Sequence, residues 1–175
     1  MPYTRIMKPL HHRIVDEIIE EYRDDPGTVA IALFGSLARG EEKDTSDVDI
    51  EIVTTNAHEW ELRQYEHPSG IRVDLVICPK EHLISQVERY PYLCYDYLHE
   101  RILYDPQGFM AAVKSRLEPY FDDHPEVVRF WEEKLRIMRA LKASGQDPKN
   151  AVESYDEAEI LFSDEYRVTR DFFRS

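Results

Sequence analysis

Three carboxylates and a glycine–serine pair are the residues of this chain whose types and spacing could do chemistry. Asp47 and Asp49 stand one residue apart in GSLARGEEKDTSDVDIEIV, the stretch from Gly35 to Val53. A strand there would place both side chains on one face, about 6.8 Å apart along the backbone. Carboxylate oxygens so arranged suit Mg2+, which favours carboxylate and phosphate ligands. Two such ions could hold the attacking and leaving oxygens of an in-line displacement, and Mn2+ is the alternative ion. Gly35 lacks a Cβ and permits close approach of a phosphate to the backbone, while Ser36 offers a hydroxyl and an amide N–H and can cap the turn that follows. Asp74 lies in the apolar run IRVDLVI, where a carboxylate is costly unless paired or metal-bound. It is the third candidate ligand, or the base that takes a proton from an incoming hydroxyl. A phosphate cradle beside paired carboxylates fits a metal-bound nucleoside triphosphate.

The elements that must position these groups follow from periodicity. Leu10, Ile14, Ile18 and Tyr22 recur at helical spacing over residues 9–24, and Asp25-Pro26-Gly27 ends the run. Thr28 to Phe34 has strand length, and Leu37 to Glu42 reads as a short helix. From Asp47 to Val53 the chain alternates, Val48, Ile50 and Ile52 against Asp47, Asp49 and Glu51. Residues 59–66 and 71–77 bracket His67-Pro68-Ser69-Gly70 as a hairpin, a helix is expected from Pro79 to about Tyr90, and Ile102 to Tyr104 reads as a last strand. Beyond residue 105 the pattern is helical. One stripe holds Val128, Trp131, Leu135, Met138 and Leu141; a second holds Ala151, Tyr155, Ala158, Phe162, Tyr166, Thr169 and Phe173. The expected organisation is an α+β catalytic half, residues 1–105, and a helical half, residues 106–175, which could complete an acceptor pocket within one chain or through a homodimer.

Composition narrows the class of substrate. The formal net charge is −13, and residues 1–105 carry 21 acidic against 11 basic side chains. Such a surface repels polynucleotide phosphates and disfavours DNA or RNA, whereas a metal–nucleotide complex brings its own cation and a cationic acceptor would be attracted. No apolar run approaches membrane-spanning length, MPYTRIMKPLHH lacks a signal-peptide core, and Cys78 and Cys94 form neither a disulfide framework nor a metal cluster. A cytoplasmic protein with reduced, buried thiols is expected. Glu51 shares the aspartates' face, with solvent as its ordinary surroundings. The seven histidines, His11 and His12 among them, read as surface or packing residues, and Tyr90, Tyr92, Tyr95 and Tyr97 read as core more readily than as a base-stacking platform.

Gly35-Ser36, ten intervening residues, Asp47-Val48-Asp49 and a later strand carrying Asp74 resemble the nucleotidyltransferase superfamily typified by DNA polymerase beta. The local form GSLARG…SDVD is similar to its minimal and aminoglycoside-nucleotidyltransferase-like branches. The resemblance implies a small mixed β-sheet flanked by helices, followed by a variable helical extension that chooses the acceptor. It implies that Asp47 and Asp49 bind two metal ions, that Asp74 shares one and helps activate the acceptor, and that Gly35 and Ser36 hold the triphosphate. Arg39 matches the branch motif and would touch phosphates; an ion pair with Glu41, Glu42 or Asp44 is the competing expectation. The implied reaction moves a nucleoside monophosphate, from ATP by analogy with those branches, to a hydroxyl of a small molecule or protein and releases pyrophosphate. The alternative is an antitoxin that binds or nucleotidylates a helical HEPN toxin.

Overall fold

In the computed structural model, which describes residues 7–146 and 151–165, the chain opens with helix α1, Pro9–Tyr22. Pro9 stands in its first turn, where its missing N–H would have no partner. Strand β1, Thr28–Phe34, follows and passes into a four-residue helical turn, α2, Gly35–Ala38. Strand β2, Val48–Thr54, begins one residue later than the alternation suggests, so Asp47 lies in the loop that enters it. The hairpin is present as β3, Glu61–Glu66, and β4, Arg72–Pro79, with Gly70 at the turn (φ +84°). Pro79 ends β4 rather than opening the next helix, which is α3, Lys80–Arg89. Strand β5 is Arg101–Tyr104.

The five strands form one mixed sheet in the order β3-β4-β2-β1-β5. Only β2 and β4 pair in parallel, and their register sets Asp49 directly beside Asp74. Alternation then gives the sheet two unlike faces. One presents Ile31, Leu33, Val48, Ile50, Ile52, Val73, Leu75 and Ile77 in a single core with Ile14, Val15 and Ile18 of α1. The other presents Asp49, Glu51, Asp74, Val76 and Cys78.

By compactness the chain divides into Met1–Ser85 with Asp96–Ser115, and Gln86–Tyr95 with Arg116–Ser175. The first holds the sheet. The second holds most of α4, Phe109–Asp123, together with α5, Pro125–Ala143, and α6, Ala151–Phe162. Within it Trp131 donates its indole N–H to the Tyr92 carbonyl (2.7 Å), and Phe130 packs edge-on against Phe162. Trp131 and Ala158 of the two expected stripes are buried, and Tyr155 meets the Trp131 ring. Tyr166, Thr169 and Phe173 lie outside the described residues. Both cysteines are buried, and neither is in a disulfide. No helix among the described residues is long and apolar enough to cross a membrane.

Candidate active site

Gly35 is fixed by two separate constraints. It sits at φ +68°, a conformation that L side chains rarely adopt, and a Cβ built on it would lie 2.1 Å from Asp49 Oδ2. The backbone therefore runs directly against the Asp49 carboxylate. Cross-strand pairing of Phe34 with Asp49 makes this approach a consequence of the sheet register. Ser36 is the second residue of α2; the residue flanking the turn is Phe34, and no side chain caps it. The Ser36 carbonyl accepts the Glu41 N–H (2.9 Å), and Arg101 on β5 donates to the Ala38 carbonyl (2.7 Å). Those bonds hold the turn beside the aspartates.

Asp47 is half-buried at the end of a pinned loop. Ser46 Oγ accepts the Lys43 N–H (2.8 Å), and the Ser46 carbonyl accepts from His11 Nε2 (2.9 Å). Because a carbonyl only accepts, His11 carries its proton on Nε2. Lys8 pairs with Asp44 in the same loop. His11 is thus a buried anchor of the segment that delivers Asp47, a role that residue type alone did not signal.

Asp49 and Asp74 point to the same face because paired residues of parallel strands do so. The Asp74 side chain is 19% exposed, and its oxygens are occupied. Arg72 donates Nε–H to Oδ1 (2.8 Å) and Nη2–H to Oδ2 (3.2 Å), a two-pronged grip. Gln64, across the hairpin from Asp74, donates to Oδ1 (3.2 Å). The hydrogen bonds to Asp74 and its charge, followed by the charges of Asp47 and Asp49, hold the Arg72 guanidinium above its usual range. One cation therefore lies in the field of all three aspartates. Among the described residues, no three acidic, histidine or cysteine side chains converge closely enough to hold a metal ion.

Arg39 is engaged elsewhere, its Nε donating to Glu41 Oε2 (3.2 Å) with the side chain largely buried. Glu51, one step deeper than Asp49 on the same face, is only 4% exposed, so solvent is not its surroundings. Burial pushes its carboxyl up to about 7, against the opposing hydrogen bonds from Tyr97 (3.2 Å) and Cys78. Burial and then the Glu51 charge push buried Glu100 well up as well. Tyr92 and Tyr95 are buried, and Tyr97 is the tyrosine tied to the acidic face. A cleft of about 500 Å3 lined by Asn56, His58, Trp60, Arg63 and Ile77 contains none of the predicted site residues.

Fold and site together define an α+β protein whose sheet presents carboxylates beside a glycine turn. Residues 15–104 match the family model described as Nucleotidyltransferase domain, and the chain belongs to that family. It is 39% identical over 62 residues to "Putative protein adenylyltransferase MJ1215" of Methanocaldococcus jannaschii, an alignment covering 33% of this chain and 72% of that protein. It is also similar to a crystal structure of a nucleotidyltransferase-like protein from Exiguobacterium sibiricum, with 17% identity, a TM-score of 0.46 and 89% of this chain covered. The chain spans 64% of that structure's length.

Proposed function

We propose that the protein transfers a nucleoside monophosphate from a nucleoside triphosphate to an acceptor hydroxyl, releasing pyrophosphate. The observation that carries this reading is the side-by-side placement of Asp49 and Asp74, with Gly35 closed against Asp49. The acceptor oxygen would form a bond to the α-phosphorus as the bond to the bridging oxygen breaks. The acceptor's proton would pass to a carboxylate oxygen of Asp74. The protein's part is then alignment and charge control rather than covalent chemistry.

The donor set suits a divalent cation by its chemistry, since carboxylates on one sheet face are hard oxygen ligands that already accept the positive charge of Arg72. Asp47, Asp49 and Asp74, which do not converge on one point among the described residues, would have to draw together to hold Mg2+, which when bound supplies charge neutralisation at the phosphates. ATP is the proposed donor, supported by the adenylyltransferase name of the archaeal relative. Gly35 and Ser36 would lie along the triphosphate. Arg39 would join them only by leaving Glu41. The net charge of −13 supports a small-molecule or protein acceptor with cationic groups over a nucleic acid. Buried cysteines outside any disulfide are in keeping with a cytoplasmic setting.

The test is transfer of label from α-labelled ATP with Mg2+ to hydroxylated metabolites, antibiotics and cell-extract proteins. Label should appear on an acceptor in step with pyrophosphate, and Asp49→Asn should abolish it. Absence of transfer to every acceptor, with no uptake of ATP by the folded protein, would overturn the reading. Label on a tyrosine of a co-purifying helical protein would instead identify a toxin partner.

A further inference from the structure

We propose that Arg72 is the element that couples cation binding to nucleotide binding: it holds Asp74 in the cation-free protein and gives it up when phosphate oxygens offer the guanidinium another partner. The inference rests on the nucleotidyl-transfer reading and goes beyond it, since none of the family's expected site residues is Arg72.

Three observations meet at this side chain. Both Asp74 oxygens receive a guanidinium N–H, so a cation seeking Asp74 competes with a two-pronged bond rather than with water. The Arg72 side chain is 52% exposed and stands near the start of β4, so it is free to swing outward without disturbing the core. Its position opposite Glu66, two residues before Asp74 on the same face, keeps it at the mouth of the site after release. Guanidinium groups match phosphate oxygens in the same forked geometry that Arg72 now uses on a carboxylate. A triphosphate arriving at Gly35 and Ser36 would thus draw Arg72 from Asp74 and leave that carboxylate open to the cation. Linkage requires the converse, that the cation tighten nucleotide binding by the same factor.

The experiment measures Mn2+ binding to the full chain by electron paramagnetic resonance of free Mn2+, with and without α,β-methylene-ATP. Wild-type protein should bind Mn2+ weakly alone and about tenfold more tightly with the nucleotide, within the usual range of coupling between sites. Arg72→Gln should bind Mn2+ about tenfold more tightly than wild type without nucleotide, and its gain from nucleotide should fall below about threefold. Arg72→Lys, which keeps the charge and loses the fork, should fall between. Arg63→Gln changes the net charge equally on a side chain paired with Glu61 on the other sheet face, and should differ from wild type by less than about twofold. Wild-type coupling that survives intact in Arg72→Gln would overturn the proposal and leave the transfer reading standing. An equal gain in Arg63→Gln would overturn it too, by reducing the effect to net charge. Failure of every variant to bind Mn2+ even with nucleotide would overturn the transfer reading and this proposal with it.

Discussion

The two faces of strand β2 make the most instructive contrast in the molecule. Val48, Ile50 and Ile52 join the core with α1, whereas Asp49 and Glu51 alternate with them on a face that also carries Asp74. One face stabilises the sheet by removing apolar surface from water. Its neighbour works against stability, because carboxyl groups are drawn out of water there: Glu51 is buried, and the Glu51 Oε2 and Glu100 Oε2 atoms have no hydrogen-bond partner among the described residues. Rigid placement on the first face is what allows charge to be concentrated on the second. Substitutions on the two faces should therefore part company, those on the acidic face changing activity or charge without loss of stability and those on the apolar face losing stability without loss of activity.

The sharpest break comes from Asp49→Asn, which should lower nucleotidyl transfer by about 10^3-fold, roughly 4 kcal/mol of transition-state stabilisation. Its melting temperature should stay at or above that of wild type. Ile50→Ala on the opposite face should cost about 3 kcal/mol of stability in urea unfolding. Turnover per folded molecule should survive it.

Glu51→Gln tests the charge carried by the acidic face. A carboxyl raised from 4.5 in the unfolded chain to about 7 when folded stabilises the protein while protonated. The folded state then binds more protons than the unfolded one between those values, so stability falls as pH rises through them. A displacement of that size corresponds to about 3 kcal/mol. Glu51→Gln should flatten that fall and be the more stable protein at pH 8, read from urea unfolding between pH 4.5 and 8. Gly35→Ala should cost about 2 kcal/mol of stability, from the strained φ and the collision with Asp49 Oδ2. Its transfer rate should fall by ten- to a hundredfold, since the carboxylate must move.

The apolar face was largely legible, because a period of two in Val48, Ile50 and Ile52 and a helical period in Ile14 and Ile18 report burial directly. The expected mixed sheet with flanking helices is the one observed. Local rules also marked the β3–β4 turn. The parallel pairing of β2 with β4 is a long-range choice that no local pattern encodes, and it sets Asp49 beside Asp74. Asp47 falls outside β2 because pairing with β4 begins at Val48. Glu51 was legible only as a member of the acidic face; its burial depends on Tyr97 and Glu100, nearly fifty residues away in the chain. A spacing of two residues puts Arg72 on Asp74's face, but its grip on both oxygens needs coordinates. His11 and Arg101, which hold the Asp47 loop and the Gly35 turn, carry no motif, since their partners are backbone carbonyls.

The central claim is that Asp49 and Asp74 act as one unit on a shared face. A double-mutant cycle in α-labelled ATP transfer tests it most directly, comparing Asp49→Asn, Asp74→Asn and the pair. Each single variant should lose about 10^3-fold, and the double variant should be no more than about tenfold worse than either, as expected for residues that serve one step together. Losses that multiply to about 10^6-fold, or a single variant within tenfold of wild type, would contradict the account.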